Sequence, residues 1–418
     1  MGAFGDLMEG CGEVKEYFPG IPVVQFEGSY ASHPFSFRFY DPDRIVAGKP
    51  MREHLRFALP IGAASRFGHS GQDYLLASME LLHKLGLQLY TLRDRALAPE
   101  APTLRESNAR IDEAAEALVC LQEAYGARAL QVSADLSENP RYCYGAATSY
   151  SADIYAHAAA QTKKALELAW RLGALQYCFS GEQECRDGFY PSVNDALEMD
   201  NLLRLLNMLS GSAAEFGYTG TLCVRPGGDT AREPYWPGAS QTLAFLRQGR
   251  LENAYRIDLP GGAPCSELRT LLQADRLGAV QVSPTLPAAY ETLFVRSVPM
   301  LLEILRFGGL QGSGIILDVP HRVCATPEDY VIHCILHMDA YAYGLMMAQR
   351  VLLDGRVEQL RRERYSGFYQ GMGRAVLENR ADLRLLESHA LQRGMLSART
   401  GREDYMEHVV QGLMYRGV

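Results

Sequence analysis

Charged side chains that could do chemistry stand near the carboxyl ends of several apolar runs. Arg93 and Asp94 close one run, Arg225 closes a second, and Asp258 and Asp318 lie near the ends of two others. Carboxylate oxygens are the ligands that hard divalent cations prefer. A guanidinium stays protonated at ordinary pH, so it pairs with anions but cannot act as a general base. These residues therefore predict internal ion pairs or an anion site more readily than a cation site.

Two further features could supply acid–base chemistry. His321 lies just past Asp318 and could exchange a proton near neutral pH, although a structural hydrogen-bonding role is the simpler interpretation. Glu182 and Glu184 follow another apolar run, and paired carboxylates can serve as general acid and base. The simpler interpretation of this pair is a solvated loop.

The elements that would position these residues are short runs rich in Val, Ile, Leu, Tyr and Phe, each followed by an amphipathic segment. Most runs are near-continuous in apolar residues, which is typical of parallel strands covered on both faces. The predicted strands are Leu55–Ala64, Leu87–Asp94, Ala129–Leu136, Ala174–Gly181, Gly220–Gly227, Asn253–Pro260, Gly278–Thr285 and Gly314–His321. The clearest predicted helices are Asn108–Tyr125, Ala152–Leu172, Asn194–Phe216 and Leu293–Phe307. This alternation predicts an α/β fold of the (β/α)8, or TIM barrel, type.

The chain is expected to have three parts: an N-terminal extension (residues 1–54), the TIM barrel (55–353) and a C-terminal helical arm (354–418). A barrel of this type needs roughly 250 residues, so the last part has no barrel position left to fill. It is charged and periodic in Leu and Met. Composition leaves two interpretations open: a solvated helical segment packed on the barrel, or an oligomerisation arm that reaches a neighbouring subunit.

Composition also argues against several classes of partner. The formal net charge of -8 argues against a nucleic-acid partner, which would require a basic patch. The sequence contains no stretch of about 18 apolar residues that could span a membrane. The first 20 residues lack a basic start followed by an apolar run, as a signal peptide would have. We therefore expect a cytoplasmic protein with neither a nucleic-acid nor a membrane partner.

Several stretches resemble bacterial xylose isomerases of the longer, N-terminally extended type. They are VVQFEGSYASHPFSFRFYDPDRIVAGKPMREHL from Val23, LAPEAPTLRESN from Leu97, NPRYCYGAATSYSADIYAHAAAQTKKALE from Asn139, HMDAYAYGL from His337 and LLDGRVEQLRRERYSGFYQGMGR from Leu352. The resemblance runs from about Tyr17 to Leu386, with shortened stretches after Leu59 and near Pro284. It implies a TIM barrel, an arm that clasps a neighbouring subunit, and a homo-oligomer (dimer or tetramer).

The resemblance also implies a chemistry, the interconversion of an aldose and a ketose such as xylose and xylulose. In that family two divalent ions polarise the C1 and C2 oxygens of the sugar, and a histidine beside an aspartate helps to open the ring. Where the family has His-Asp-Arg-Asp, this sequence has Arg93, Asp94, Arg95 and Ala96. Where the family has Glu-Pro-Lys, it has Arg225 followed by proline and glycine. The resemblance therefore implies that the catalytic histidine and one metal ligand are replaced.

The remaining family ligands are also mostly changed. The bridging glutamate aligns with Asp258, a metal-binding aspartate with Gln281, and the Asp-x-Asp pair with about Leu286 and Ala288, while the last aspartate is Asp318. The aromatic pocket positions align with Gly62, Gln131 and Ser180. Only Asp258 and Asp318 remain as plausible ligands, so we expect no cofactor. Mg²⁺, Mn²⁺ or Co²⁺ would be expected only if the family activity were retained.

The predicted function is that of a non-catalytic xylose isomerase paralogue, which binds a sugar or assembles with an active isomerase in a hetero-oligomer. The alternative is a metal-independent enzyme for a sugar or an anionic sugar derivative, using Arg93, Arg225, Asp258, Asp318 and His321. A third interpretation is a working xylose isomerase.

The arginines have two interpretations of their own. Arg225 could replace the charge of the metals and pair with Asp258, with Asp318, or with both. Arg93, Arg95 and Arg225 could instead form a site for a phosphorylated or acidic sugar.

Overall fold

The backbone forms a closed barrel of eight parallel strands. The computed structural model describes residues 16–69, 71–186, 189–227, 233–282, 290–318 and 324–415. The barrel strands are β1 (Phe57–Pro60), β2 (Leu89–Arg93), β3 (Arg128–Ser133), β4 (Gln176–Ser180), β5 (Thr221–Arg225), β6 (Tyr255–Leu259), β7 (Leu277–Val282) and β8 (Ile315–Leu317). Each strand pairs with the next in the chain, and β8 pairs with β1 to close the barrel. The predicted TIM barrel is confirmed.

A helix follows each strand and covers the outside of the barrel. These helices are α1 (Gly71–Lys84), α2 (Leu104–Tyr125), α3 (Ala152–Arg171), α4 (Asp195–Glu215), α5 (Ala239–Gln248), α6 (Cys265–Ala274), α7 (Tyr290–Arg306) and α8 (Pro327–Asp354). Side-chain caps fix several starts: the hydroxyl of Thr103 accepts from the N–H of Glu106, and Thr326 precedes a proline in the first turn of α8. Both features satisfy or remove N–H groups that a helix start leaves unpaired.

Several strands, such as the first, are shorter than the apolar runs that predicted them. Leu55 ends a short helix, Met51–Leu55, instead of starting a strand. Beyond Pro60 the chain forms a 3-10 helix, Ile61–Phe67, so the first predicted strand is wrong at both ends. Proline has no N–H to offer a neighbouring strand, which favours an end to the ladder at that point.

The N-terminal segment is attached to the barrel by a buried carboxylate. Asp339, on α8, accepts hydrogen bonds from the backbone N–H groups of Arg38, Phe39 and Tyr40, at 2.9–3.2 Å. Its side chain is 4% exposed. Two stretches that carry the family resemblance, from Val23 and from His337, therefore meet in one packing contact.

The C-terminal segment is helical and largely exposed. It contains α9 (Arg356–Tyr365), α10 (Gly371–Leu377), α11 (Leu383–Arg393) and α12 (Glu403–Met414). On α12, Val409 and Leu413 pack back onto Val351 of α8. Leu383 and Leu391, in contrast, are 84% and 78% exposed. Within the described ranges, no helix is both long enough and apolar enough to cross a membrane.

Candidate functional site

The carboxyl ends of the strands carry a buried arginine at the end of β5. Arg225 is 6% exposed. Its Nη2 atom donates to Gln131 Oε1 at 2.7 Å and lies 3.4 Å from Asp258 Oδ2. Its Nη1 atom lies 3.8 Å from Glu182 Oε1. Burial acts to lower the pKa of Arg225, but the surrounding acidic groups outweigh it and leave the pKa above its usual range. Arg225 is therefore a permanent, internally paired cation.

Asp258, on the neighbouring strand β6, is fully buried and surrounded by donors. Its Oδ2 atom accepts from Gln131 Nε2 at 2.9 Å, from Arg225, and from the thiol of Cys178 at 3.3 Å. Its Oδ1 atom accepts from the backbone N–H of Ala279 at 2.9 Å. A Cβ on Gly278 would come within 2.4 Å of that oxygen, so a residue without a side chain is needed there. The carboxylate is committed to internal hydrogen bonds.

Arg93, at the end of β2, lies in the same cluster. Its Nη2 atom donates to Glu182 at 3.2 Å, and its Nη1 atom donates to Ser137 Oγ at 2.9 Å. Asp135 lies 3.8 Å from the same guanidinium. Glu182 therefore stands between two arginines, Arg93 and Arg225. The sequence did not assign it this role, because a glutamate in a loop gives no signal of its partner.

Asp94 points away from this cluster, toward helix α3. It is fully buried and accepts from Gln161 Nε2 at 3.0 Å and from the backbone N–H of Asp135 at 2.6 Å. Arg95 lies 3.7 Å from Asp94, and its two terminal nitrogens have no hydrogen-bond partner among the described residues. Burial raises the pKa of Asp94 to about 6, against the opposing effect of its hydrogen bonds and of Arg95. The three-arginine anion site is thus not assembled, because Arg95 pairs with Asp94 and not with Glu182.

Glu184 holds a loop and does not form an acid–base pair with Glu182. It is fully buried and accepts from the backbone N–H groups of Ala147 and Thr148 and from the Thr148 hydroxyl, at 2.6–3.0 Å. Burial raises its pKa, and these hydrogen bonds oppose the increase. The solvated-loop interpretation is wrong for this residue, because the carboxylate fixes the 145–149 turn from inside.

The other predicted site residues take less part in the cluster. Asp318 is exposed and follows β8. Its charge is among those that raise the pKa of Arg225, but among the described carboxylates it is Asp258 and Glu182 that lie within 4 Å of that arginine. Gln281 is half-buried on β7, where it pairs in register with Ile316 of β8. His321 lies outside the described residues.

The described side chains at this end of the barrel do not provide ligands for the two divalent ions that the family resemblance implies. Arg225 stands at one implied ligand position, and a cation would have to compete with four donors for Asp258. In the described part of the chain, no three His, Cys, Asp or Glu side chains form a group that could hold a metal ion. Leu286 and Ala288, at two other implied positions, lie outside the described residues.

The sequence is similar to proteins named xylose isomerase along nearly all of its length. It is 33% identical to the protein from Bacillus cereus (strain ATCC 10987 / NRS 248), over 94% of this chain and 96% of the relative. It is 32% identical to the protein from Bacillus subtilis (strain 168), over 94% and 96% of the two chains. Residues 361–414 match a family described as the XylA2 C-terminal domain.

Solved structures resemble the barrel more distantly. A D-allulose 3-epimerase from Methylomonas sp. in complex with D-allulose has a TM-score of 0.49 and 16% identity, covering 70% of this chain and 94% of that chain. A xylose isomerase domain protein from Alicyclobacillus acidocaldarius has a TM-score of 0.46 and 12% identity, covering 68% and 99%. Likenesses of this size carry no conclusion about substrate or mechanism.

Proposed function

The chain belongs to the xylose isomerase family, and we propose that it is a member that no longer isomerises xylose. The observation that carries the proposal is the pairing of Arg225 with Asp258, 3.4 Å apart and both buried. The guanidinium lies among the carboxylates and supplies the positive charge that the implied metal ions would otherwise supply. Unlike a metal ion, it has no vacant coordination position with which to polarise a sugar oxygen.

The replacement of the implied histidine supports the same proposal. Arg93 stands at that position and is engaged by Glu182 and Ser137. It cannot accept a proton at ordinary pH, so it cannot open a sugar ring as a general base. The alternative of a metal-independent enzyme finds less support, because that enzyme would need Arg225 free of carboxylates.

An assay of D-xylose and D-xylulose interconversion tests the proposal. We expect no turnover in Mg²⁺, Mn²⁺ or Co²⁺ under conditions in which the Bacillus subtilis relative is active. Turnover that scales with protein concentration and disappears with EDTA would overturn the proposal. The assay needs no variant, so no folding defect caused by a substitution can imitate the expected result, and a urea-unfolding transition of the same preparation shows that the assayed protein is folded.

We further propose that the chain acts as an assembly partner through its C-terminal arm, defined here as α9–α12. Leu383, Leu391 and Leu396 of the arm are 74–84% exposed. Large apolar side chains exposed together are typical of surfaces that bind another protein. The proposed occupant is a neighbouring subunit, either a second copy of this chain or an active isomerase.

Co-expression with an active isomerase, followed by native mass spectrometry, tests the assembly proposal. We expect oligomers that contain both chains, and we expect them to be lost in a Leu383→Asp/Leu391→Asp variant. A Tyr30→Asp variant is the control, because Tyr30 is fully exposed but lies outside the arm. If only homo-oligomers form, the hetero-oligomer proposal fails. If wild-type and arm variant are both monomers, the assembly role of the arm fails as well.

A further inference from the structure

The opposite end of the barrel gathers three arginines. Arg56 immediately precedes β1, Arg128 begins β3, and Arg256 is the second residue of β6. Because all eight strands are parallel, their amino ends lie at one face, away from the Arg225 cluster. In a chain with a net charge of -8, this grouping of positive charge calls for an explanation.

A cavity of about 430 Å³ opens at this face, and we name it the floor pocket. Its lining includes Arg128, Trp170, Tyr218, Thr219, Arg256 and Gln311. Its volume falls within the range of small-molecule sites in proteins. It is built from residues at or just before the amino ends of β4, β5 and β8 and from the first residues of β3 and β6, so a ligand there would contact several strands.

The positive charge at the floor pocket is only partly neutralised. Arg128 donates through Nε to the carbonyl of Gly173 at 3.4 Å, and no carboxylate of the described chain lies within 4 Å of it. Arg56 lies beside this face but does not line the pocket. Burial lowers its pKa, the nearby charge of Arg128 lowers it further, and Glu53 opposes both effects. Arg256 does have a carboxylate partner, Asp275 at 3.4 Å, but the Asp275 side chain is 61% exposed. An anion entering the pocket would therefore meet Arg128, which has no carboxylate partner in the described chain, and Arg256, whose carboxylate partner Asp275 is largely exposed.

The uncharged lining suits a ligand rich in hydroxyl groups. Trp170 is 51% exposed, which leaves part of its indole ring free to stack. At the bottom of the pocket, Gln176 Nε2 donates to Ser313 Oγ at 3.3 Å, and both residues are 2% exposed. Gln176 also accepts from Gln131 at 3.1 Å, so these polar groups continue into the barrel interior. The interior of such a barrel is usually filled by apolar side chains.

We propose that the floor pocket binds a small anionic sugar, carrying either a phosphate or a carboxylate. Arg128 and Arg256 bind the anionic group, since guanidinium groups match oxyanions with paired hydrogen bonds. Trp170 packs against the C–H face of the sugar ring. Side-chain amides and hydroxyls of the lining bind its hydroxyl groups. This site is independent of whether the Arg225 end of the barrel is catalytic.

Isothermal titration calorimetry with four probes tests the proposal: ribose 5-phosphate, glucuronate, inorganic phosphate and D-xylose. We expect at least one anionic sugar to bind at least about tenfold more tightly than D-xylose and inorganic phosphate. Binding of ribose 5-phosphate alone would identify phosphate as the recognised group, and binding of glucuronate alone would identify carboxylate. Arg128→Gln and Trp170→Ala are each expected to weaken that binding about tenfold or more.

Two control variants locate the site. The first control is Arg171→Gln. Arg171 lies beside Trp170 in the sequence, but its guanidinium pairs with Asp112 and Glu116, so the substitution should change sugar binding less than twofold. Arg93→Gln, at the opposite end of the barrel, should also leave binding unchanged. The proposal is overturned if neither anionic sugar binds at millimolar concentration. It is equally overturned if binding survives Arg128→Gln and is lost in Arg93→Gln, which would place the ligand at the other end of the barrel.

Discussion

Replacing Arg225 with methionine is expected to lower the free energy of unfolding by about 3–5 kcal/mol, because it leaves the charge of Asp258 buried without its cation. Asp258 is fully buried, and the Arg225 side chain is 8% exposed, so water cannot reach in to compensate. Methionine preserves much of the arginine side chain's length and apolar volume, so the loss reports the charge and not a cavity. Urea unfolding at neutral pH measures the effect.

A double-mutant cycle separates the pair from its surroundings. The Arg225→Met/Asp258→Asn variant should be more stable than the sum of the two single losses predicts, by at least about 1 kcal/mol, because no unpaired charge remains. Arg93→Met is the matched control: its side chain is 36% exposed and its partner Glu182 is 29% exposed, so it should cost less than about 1 kcal/mol. Equal losses for Arg225→Met and Arg93→Met, or strict additivity in the cycle, would contradict this account of the pair.

The stability of the protein relative to an Asp94→Asn variant is expected to fall as the pH rises from about 4 to 7. The pKa of Asp94 in the folded protein is raised by burial to about 6, from an ordinary value of 3.8. The folded state therefore favours protonated Asp94. This preference contributes fully to the free energy of unfolding below the ordinary pKa, and the contribution is lost as the pH rises through the pKa of the folded protein. A shift of this size corresponds to about 3 kcal/mol.

Urea unfolding of both proteins at several pH values measures this dependence. All other titrating groups are common to the two proteins, so they cancel to first order in the difference. The asparagine itself lowers the stability by an amount that does not vary with pH, because its NH2 group can face the N–H donors of Gln161 and Asp135, which a carboxylate oxygen would accept. A stability difference that stays constant between pH 4 and 7 would show that Asp94 is ionised throughout. If the stability difference instead grows in favour of the wild type as the pH rises, the pKa of Asp94 is lowered in the folded protein, and the predicted direction of its shift is wrong.

The barrel could be predicted from sequence because its signal is repeated. Each strand is a run of apolar residues, and each predicted run overlaps an observed strand, as Gly220–Gly227 overlaps Thr221–Arg225. The position of Arg225 beside Asp258 followed as well, because consecutive strands in this fold are neighbours. The ends of the strands were less predictable: apolar character continues through Ile61 into a 3-10 helix that packs in the same core.

The partners within the site could not be predicted from residue type. Asp94 and Arg93 are adjacent, but successive residues at a strand end point to opposite sides, so only Arg93 joins Arg225. Gln131 bonds both Arg225 and Asp258. The family resemblance aligned it with a pocket position, but neither that position nor its residue type indicated its partners. Glu182 is separated from Arg93 by 89 positions in the chain. Contacts of this kind depend on the directions of side chains and on the paths of loops, which cannot be predicted from the spacing of residues in the sequence.

The most direct test of the central claim is the binding of Mn²⁺ to the purified protein, measured by equilibrium dialysis after treatment with EDTA. If Arg225 has replaced the metal charge, binding should stay well below one ion per chain at millimolar Mn²⁺, with the Bacillus subtilis relative as the positive control. Binding close to two ions per chain would contradict the claim. It would mean that Arg225 and Asp258 separate to admit a cation, and that the isomerase chemistry must be reconsidered.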